Sequence, residues 1–78
     1  MLTEIDKKII DILRNEPEPL TTYEVAKKTG IAWATANIHL KELQFNGFIK
    51  GRDEEEGGRK KKVWWVEQQR LDRFLKKV

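Results

Sequence analysis

Residues 21–49, TTYEVAKKTGIAWATANIHLKELQFNGFI, constrain the fold more than any other stretch of the chain. Two short helical patterns meet there at Gly30, one turn after the small residue Ala26. Glycine tolerates positive φ, so the backbone can turn sharply at Gly30, and the small side chain before it lets two helices cross closely. After the turn, apolar residues recur at the spacing of one helix face: Ala36, Leu40 and Leu43. The stretch therefore predicts two helices joined by a tight turn.

The preceding segment predicts another helix, over residues 3–15. Thr3 is a plausible N-cap with Asp6 three residues later, and a buried stripe is formed by Ile5, Ile9, Ile12 and Leu13. Pro17 and Pro19 then end the helix and indicate an extended link. The second helix is expected to begin with a cap at Thr21 or Thr22, Glu24 completing a capping box from Thr21.

A β-hairpin is predicted after Gly47, with strands over about 48–52 and 60–66. Gly57-Gly58 supplies its turn, and one of the tryptophans in the second strand is expected to pack on the helical core. A last amphipathic helix is predicted over about 68–78. With helices over about 3–15, 22–29 and 33–46, this layout predicts a single mainly α domain, residues 1–78, with a small hairpin.

The layout resembles the winged helix-turn-helix family, chiefly the small transcriptional regulators of bacteria and archaea. The resemblance covers most of the chain and is carried by Val25-Ala26, Gly30-Ile31, Leu40, Leu43 and Gly47-Phe48-Ile49. Thr29 departs from the family pattern, which usually has an apolar residue there, and Ala36 is smaller than the common Val or Ile. The resemblance implies a three-helix core, a wing formed by the hairpin, and a recognition helix that enters the DNA major groove.

If Ala36 faces inward, the first two turns of the recognition helix present a reading surface to DNA. Its members are Trp33, Ala34, Thr35, Asn37, Ile38 and Lys41. Asn37 suits an adenine edge, Lys41 a phosphate or a guanine, and the apolar members a thymine methyl group. The helix lacks a good N-cap at Ala32, so its free N–H groups can bind a phosphate.

Other residues are expected to contact the DNA backbone. The hydroxyls of Thr22 and Tyr23 are candidates for phosphate contacts, which set register and carry no sequence information. The basic run of the wing is a further electrostatic candidate: Arg59, Lys60, Lys61 and Lys62. The acidic run 53–56 on the same hairpin is expected to pair with these lysines or to face solvent, and not to bind a metal.

The charge distribution favours a nucleic-acid partner. The net charge is +3, but residues 1–20 carry three basic and five acidic side chains, whereas residues 21–78 carry thirteen basic and eight acidic ones. The positive field therefore lies on the helix-turn-helix, the hairpin and the C-terminal segment. The alternative function is a winged-helix module for protein–protein interaction in a transcription or replication assembly, indicated by outward apolar residues Trp33, Ile38 and Phe45.

Enzymatic function is not expected. The chain has no cysteine and one histidine, His39, which is expected to pack or to touch a phosphate. No metal-ligand spacing or phosphate loop is present, so no cofactor, metal or small-molecule ligand is predicted. No apolar run approaches the roughly 20 residues that span a membrane, which predicts a cytoplasmic protein.

Self-association is the last expectation. The C-terminal apolar stripe either folds back on its own domain or pairs with a second copy, and pairing is favoured because the family often dimerises through terminal helices. Ile10 falls off the stripe of the first helix and is assigned to the same contact. The predicted homodimer interface is Ile10, Leu71, Phe74, Leu75 and Val78.

Overall fold

The computed structural model describes residues 2–67, which form three helices and a three-stranded sheet. In chain order the elements are α1 (Glu4–Asn15), β1 (Leu20–Thr21), α2 (Thr22–Thr29), α3 (Trp33–Phe45), β2 (Lys50–Glu56) and β3 (Arg59–Trp65). These three helices and the hairpin β2–β3 confirm the predicted winged helix-turn-helix architecture. The helix predicted over 68–78 lies outside the described residues.

The starts of α1 and α2 are fixed by capping boxes, as predicted. At α1, the Thr3 hydroxyl accepts from the Asp6 N–H at 3.0 Å, and Asp6 Oδ2 accepts from the Thr3 N–H at 3.0 Å. Thr21 and Glu24 make the same reciprocal pair at 3.1 and 2.9 Å. Each box satisfies two N–H groups that have no partner within the helix, so local sequence determines where both helices begin.

The turn between α2 and α3 depends on Gly30, whose φ of 74° lies in the left-handed region. Its N–H and that of Ile31 both donate to the Ala26 carbonyl, at 2.9 and 3.1 Å. The preceding residue, Thr29, is buried although it is polar, and its hydroxyl donates to the Val25 carbonyl at 2.8 Å. Burial of the hydroxyl therefore leaves no unpaired donor, which explains how threonine occupies a position that is usually apolar.

The link after Pro19 forms a strand that the sequence did not predict. The sheet order is β1-β3-β2, with Leu20 opposite Trp64 and Thr21 opposite Val63. A two-residue strand has too little alternation to show a period, so its pairing depends on a partner more than forty residues away.

The wing is longer than predicted. β2 begins at Lys50 and continues to Glu56, so the expected strand of 48–52 was wrong at both ends, while β3 covers Arg59–Trp65. Acidic residues have low strand propensity, which is why the acidic run was expected in the loop. Instead, only Gly57 and Gly58 form the loop, both with positive φ, as a two-residue hairpin turn requires.

Trp64 is the largest side chain of the core and is 0% exposed. It belongs to one core cluster with residues from all three helices, among them Ile9, Leu13, Val25 and Leu40. Opposite it in the sheet lies Gly51, where a Cβ atom would come within 2.5 Å of the Trp64 ring. The close approach of ring and backbone therefore requires glycine at position 51.

Two further observations concern the exterior. Ile10 is half-buried and packs against the core of its own domain, and its role in a dimer interface stays a prediction. None of the helices within residues 2–67 is both long enough and apolar enough to cross a membrane.

Candidate nucleic-acid interface

Packing of α3 leaves the predicted reading surface on the outside. Ala36, Leu40 and Leu43 are buried in the core, which confirms the predicted orientation of the helix. On the outer side Trp33 is 53% and Ile38 59% exposed. The other members are exposed or half-buried: Ala34 and Lys41 exposed, Thr35 and Asn37 half-buried. The helix thus presents one continuous surface over its first two turns, while its contact with DNA stays a prediction.

The N-terminus of α3 is open. Within residues 2–67, no side chain caps this helix at Ala32, and its first intrahelical backbone bond runs from the Ala36 N–H to the Ala32 carbonyl at 3.0 Å. The N–H groups of residues 33–35 therefore have no acceptor within the helix. With the positive end of the helix dipole, they form a position that favours a phosphate.

The start of α2 contributes one of its two predicted hydroxyls. The Tyr23 side chain is 64% exposed and available for a backbone contact. Thr22 is buried, and its hydroxyl accepts a hydrogen bond from the Trp64 Nε1–H at 2.9 Å. This corrects the predicted phosphate contact of Thr22, since the hydroxyl instead joins α2 to β3.

Opposite charges face each other across the hairpin of the wing. The register places every basic residue of the run 59–62 opposite an acid of the run 53–56: Asp53 with Lys62, Glu54 with Lys61, Glu55 with Lys60, and Glu56 with Arg59. Opposite charges at facing positions stabilise a sheet pair, and they also reduce the field that a phosphate experiences. The acids were expected to pair in part with these lysines, and one such ion pair is present, between Glu56 and Lys61.

Two ion pairs on the wing are short. Lys61 Nζ lies 2.7 Å from Glu56 Oε1, and the Arg52 guanidinium lies 2.8 Å from Glu54 Oε2. The hydrogen bond and charge of Lys61 lower the pKa of the Glu56 carboxyl, and the same contact with Glu56 raises the pKa of the Lys61 amine. Both groups are hence charged at neutral pH, and a phosphate that binds Lys61 must compete with a carboxylate.

Two wing cations, Lys62 and the same Arg52, also lie over aromatic rings. Lys62 Nζ lies 5.0 Å from the Trp64 ring centroid, and the Arg52 guanidinium carbon lies 5.6 Å from the Trp65 ring centroid. Such cation–π contacts restrict the side chains without removing their charge. The wing is thus an element of mixed charge and not a simple basic arm.

His39 has a partner that sequence reasoning missed. Its Nδ1 lies 2.7 Å from Asp6 Oδ1, so α3 is bonded to the first turn of α1 instead of to a phosphate. Burial raises the pKa of the Asp6 carboxyl, but hydrogen bonds from Thr3 and His39 outweigh it and leave the pKa below its ordinary value. The residues are separated by 33 positions, and only the capping role of Asp6 was visible in the sequence.

No group of three or more histidine, cysteine or carboxylate side chains within residues 2–67 is arranged to hold a metal ion.

Sequence comparison places these features in a family. A family profile described as "Winged helix-turn-helix DNA-binding" matches residues 2–50. The chain is also similar to the HTH-type transcriptional regulator FL11 of Pyrococcus horikoshii, with 46% identity over 50 residues, which are 63% of this chain. The match covers 32% of that relative, so the chain corresponds to about a third of its length.

Solved structures show the same fold. Stf76 from the Sulfolobus islandicus plasmid-virus pSSVx superposes with a TM-score of 0.72 over 95% of both chains, at 19% identity, which shows the fold alone. The Zα domain of PKZ from Carassius auratus, solved in complex with Z-DNA, is 28% identical. It superposes with a TM-score of 0.64 over 81% of this chain and 92% of that one.

Proposed function

The chain belongs to the winged helix-turn-helix DNA-binding family, and from that membership we propose that it is a sequence-specific regulator of transcription that binds double-stranded DNA. In this proposal α3 enters the major groove and the wing lies on the backbone or over the adjacent minor groove. The single observation that carries it is the outer surface of the first two turns of α3, which lies exposed beside an uncapped helix N-terminus.

Residue roles are assigned from this placement. Asn37 reads an adenine edge, and Lys41 neutralises a phosphate or contacts a guanine. Tyr23 and the α3 N-terminus fix the register on the backbone. The run Arg59 to Lys62 adds a sequence-independent attraction, reduced by the acids opposite it. No enzymatic step is assigned, and a cytoplasmic location is proposed.

The test is a titration of the purified protein with random duplex DNA at two salt concentrations. Each neutralised phosphate contributes a slope of about −0.9 in log K against log salt. We expect micromolar binding that weakens steeply as salt rises, and enrichment of a defined sequence from a random library. Absence of DNA binding at low salt would contradict the proposed function.

Homodimer formation is part of the proposal. A dimer would read a palindromic site with half-sites about one helical turn apart, roughly 34–36 Å. The supporting residues Leu71, Phe74, Leu75 and Val78 lie outside the described residues, so this step depends on the sequence pattern. Sedimentation of the wild type and of Phe74→Asp tests it: we expect a dimer and a monomer respectively, and a folded dimeric variant would exclude this interface.

The second candidate is a protein-interaction module, favoured by the exposed aromatic residues at the end of α3. Phe45 is 90% exposed, and Phe48 is exposed three residues later. An apolar interface changes little with salt, in contrast to phosphate contacts. If random DNA does not bind, Phe45→Ser and Phe48→Ser are the variants with which to probe a protein partner.

A further inference from the structure

The outer face of α3 is mainly apolar, although it belongs to the basic part of the chain, residues 21–78. Residues at i, i+4, i+7 and i+11 form one outward stripe: Ala34, Ile38, Lys41 and Phe45. Lys41 is the one charged residue in this stripe, and Ile38, 59% exposed, lies in its second turn, within the surface that faces the groove. An isoleucine at the centre of a reading surface restricts what that surface can bind.

The chemistry of the major groove limits which base Ile38 can contact favourably. Base edges present hydrogen-bonding groups there, and the one apolar group among them is the C5-methyl of thymine. If Ile38 were pressed against an adenine, guanine or cytosine edge, polar atoms would lose water without gaining a bond, which costs free energy. Against a thymine methyl, both surfaces leave water favourably.

Charge complementarity supports DNA as the occupant of this surface. Lys41 lies on the same stripe, and the open N–H groups of α3 lie at its start. Residues 21–78, which contain the surface, carry thirteen basic and eight acidic side chains. A neutral protein partner explains the apolar stripe but not the anion-binding helix N-terminus beside it, whereas DNA supplies both a methyl group and a phosphate.

We infer that Ile38 is a specificity-determining residue that reads a 5-methylpyrimidine, so the preferred DNA site carries thymine at the base pair facing the second turn of α3. Ala34, one turn earlier, extends the same apolar contact toward the neighbouring base pair. Asn37 flanks Ile38 and suits adenine, so A·T pairs are expected at the neighbouring positions that these two residues face. This inference rests on the proposed function and names the class of base that it recognises.

Deoxyuridine is the direct probe, because it differs from thymidine only by the absent methyl group. A site is first selected from a random duplex library with the wild-type chain, and each thymine is then replaced singly by deoxyuridine. A buried methyl group contributes about fourfold in affinity, so one replacement in the half-site is expected to weaken wild-type binding roughly three- to fivefold. The same replacement is expected to be silent for Ile38→Ala.

A second experiment restores the methyl group on a different pyrimidine. Replacement of the sensitive T·A pair by a C·G pair is expected to weaken binding of the protein. Replacement of that cytosine by 5-methylcytosine is expected to restore part of the affinity for the wild type and none for Ile38→Ala. Phe45→Ala is the matched control, since Phe45 lies on the same stripe beyond the first two turns and is more exposed. It is expected to keep the wild-type sensitivity to deoxyuridine.

These experiments distinguish failure of the Ile38 methyl contact from failure of the proposed DNA-binding function. Sequence-selective, salt-dependent binding that no deoxyuridine replacement weakens would overturn the methyl contact and leave the regulator intact. A deoxyuridine effect that persists in Ile38→Ala would assign the methyl contact to another residue and overturn the role of Ile38. No DNA binding at low salt would overturn both. Because the Ile38 side chain is largely exposed, its truncation is expected to leave the fold unchanged.

Discussion

His39 Nδ1 on the recognition helix lies 2.7 Å from Asp6 Oδ1 in the first turn of α1. The second oxygen of the same carboxylate accepts from the Thr3 N–H at 3.0 Å, so one side chain both caps α1 and holds α3. Both side chains are largely removed from solvent. The Asp6 carboxylate therefore adds one polar contact to the buried face of α3 that positions the reading surface, although it is remote from that surface in sequence.

Asp6→Asn is expected to destabilise the domain. The amide retains one oxygen for the Thr3 N–H but loses the charge that favours both hydrogen bonds. Loss of a hydrogen bond to a charged group costs about 1.5–3 kcal/mol. Urea unfolding followed by circular dichroism measures the change. Asp11→Asn, on the exposed side of the same helix, is the matched control and is expected to stay near the wild type. Equal stability of both variants would show that the Asp6 contact contributes little.

Stability is expected to fall in acid through Asp6. Its pKa is lower in the folded protein than the ordinary 3.8, so the folded state favours the ionised carboxylate more than the unfolded state does. This contribution is fully present above pH 3.8 and is lost as the pH falls through the lower folded value. Other carboxylates titrate in the same range, so the quantity to measure is the difference between wild type and Asp6→Asn. That difference should shrink below pH 3.8, and a constant difference would contradict the shifted pKa.

Gly51→Ala is expected to destabilise the wing and the core together. The added Cβ atom would come within 2.5 Å of Trp64 Cε3, and relief requires a shift of the ring or the strand. Overpacking of this kind costs about 1–3 kcal/mol. Lys50→Ala, the exposed neighbour on the same strand, is the control in thermal unfolding. A Gly51→Ala variant as stable as this control would indicate that the ring relaxes freely.

Neutralising one wing acid is expected to strengthen DNA binding. Glu56→Gln removes the partner of Lys61, so the amine becomes available to a phosphate, and the salt slope should increase by about 1. Lys61→Ala should decrease affinity for all sequences alike. Asp11→Asn carries the same change in net charge away from the wing. If it raised affinity as much as Glu56→Gln, the effect would be one of overall charge and not of the ion pair.

Asn37→Ala is expected to relax the choice at one base pair. Loss of a bidentate contact to adenine costs about 1–3 kcal/mol on the preferred site and nothing on random DNA. Competition binding with the selected site and its single-base variants measures this. An equal loss on specific and random DNA would assign Asn37 to the backbone.

Features set within one or two helical turns were predictable from sequence. The capping boxes at Thr3 and Thr21, the left-handed Gly30 and the inward face of α3 are all determined by neighbours a few residues apart. Local rules describe these positions well because the interacting groups are close in the chain.

Features that depend on distant partners were missed. The position of Thr22 in its helix suits a DNA contact, yet Trp64, 42 residues later, holds its hydroxyl inside the domain. The acidic run has the composition of a solvated loop, and only its register against the basic run shows that it is a strand. Strand propensity is a weak guide where cross-strand pairs determine stability. The His39–Asp6 contact has no sequence signature for the same reason.

Close contact between Gly51 and the Trp64 ring also limits how this domain can evolve. A larger residue at position 51 requires a smaller ring at position 64 first, because the indole occupies that space. Removal of the indole would in turn leave the buried Thr22 hydroxyl without its donor. Positions 22, 51 and 64 are therefore expected to covary among homologues, with substitutions accepted in a fixed order.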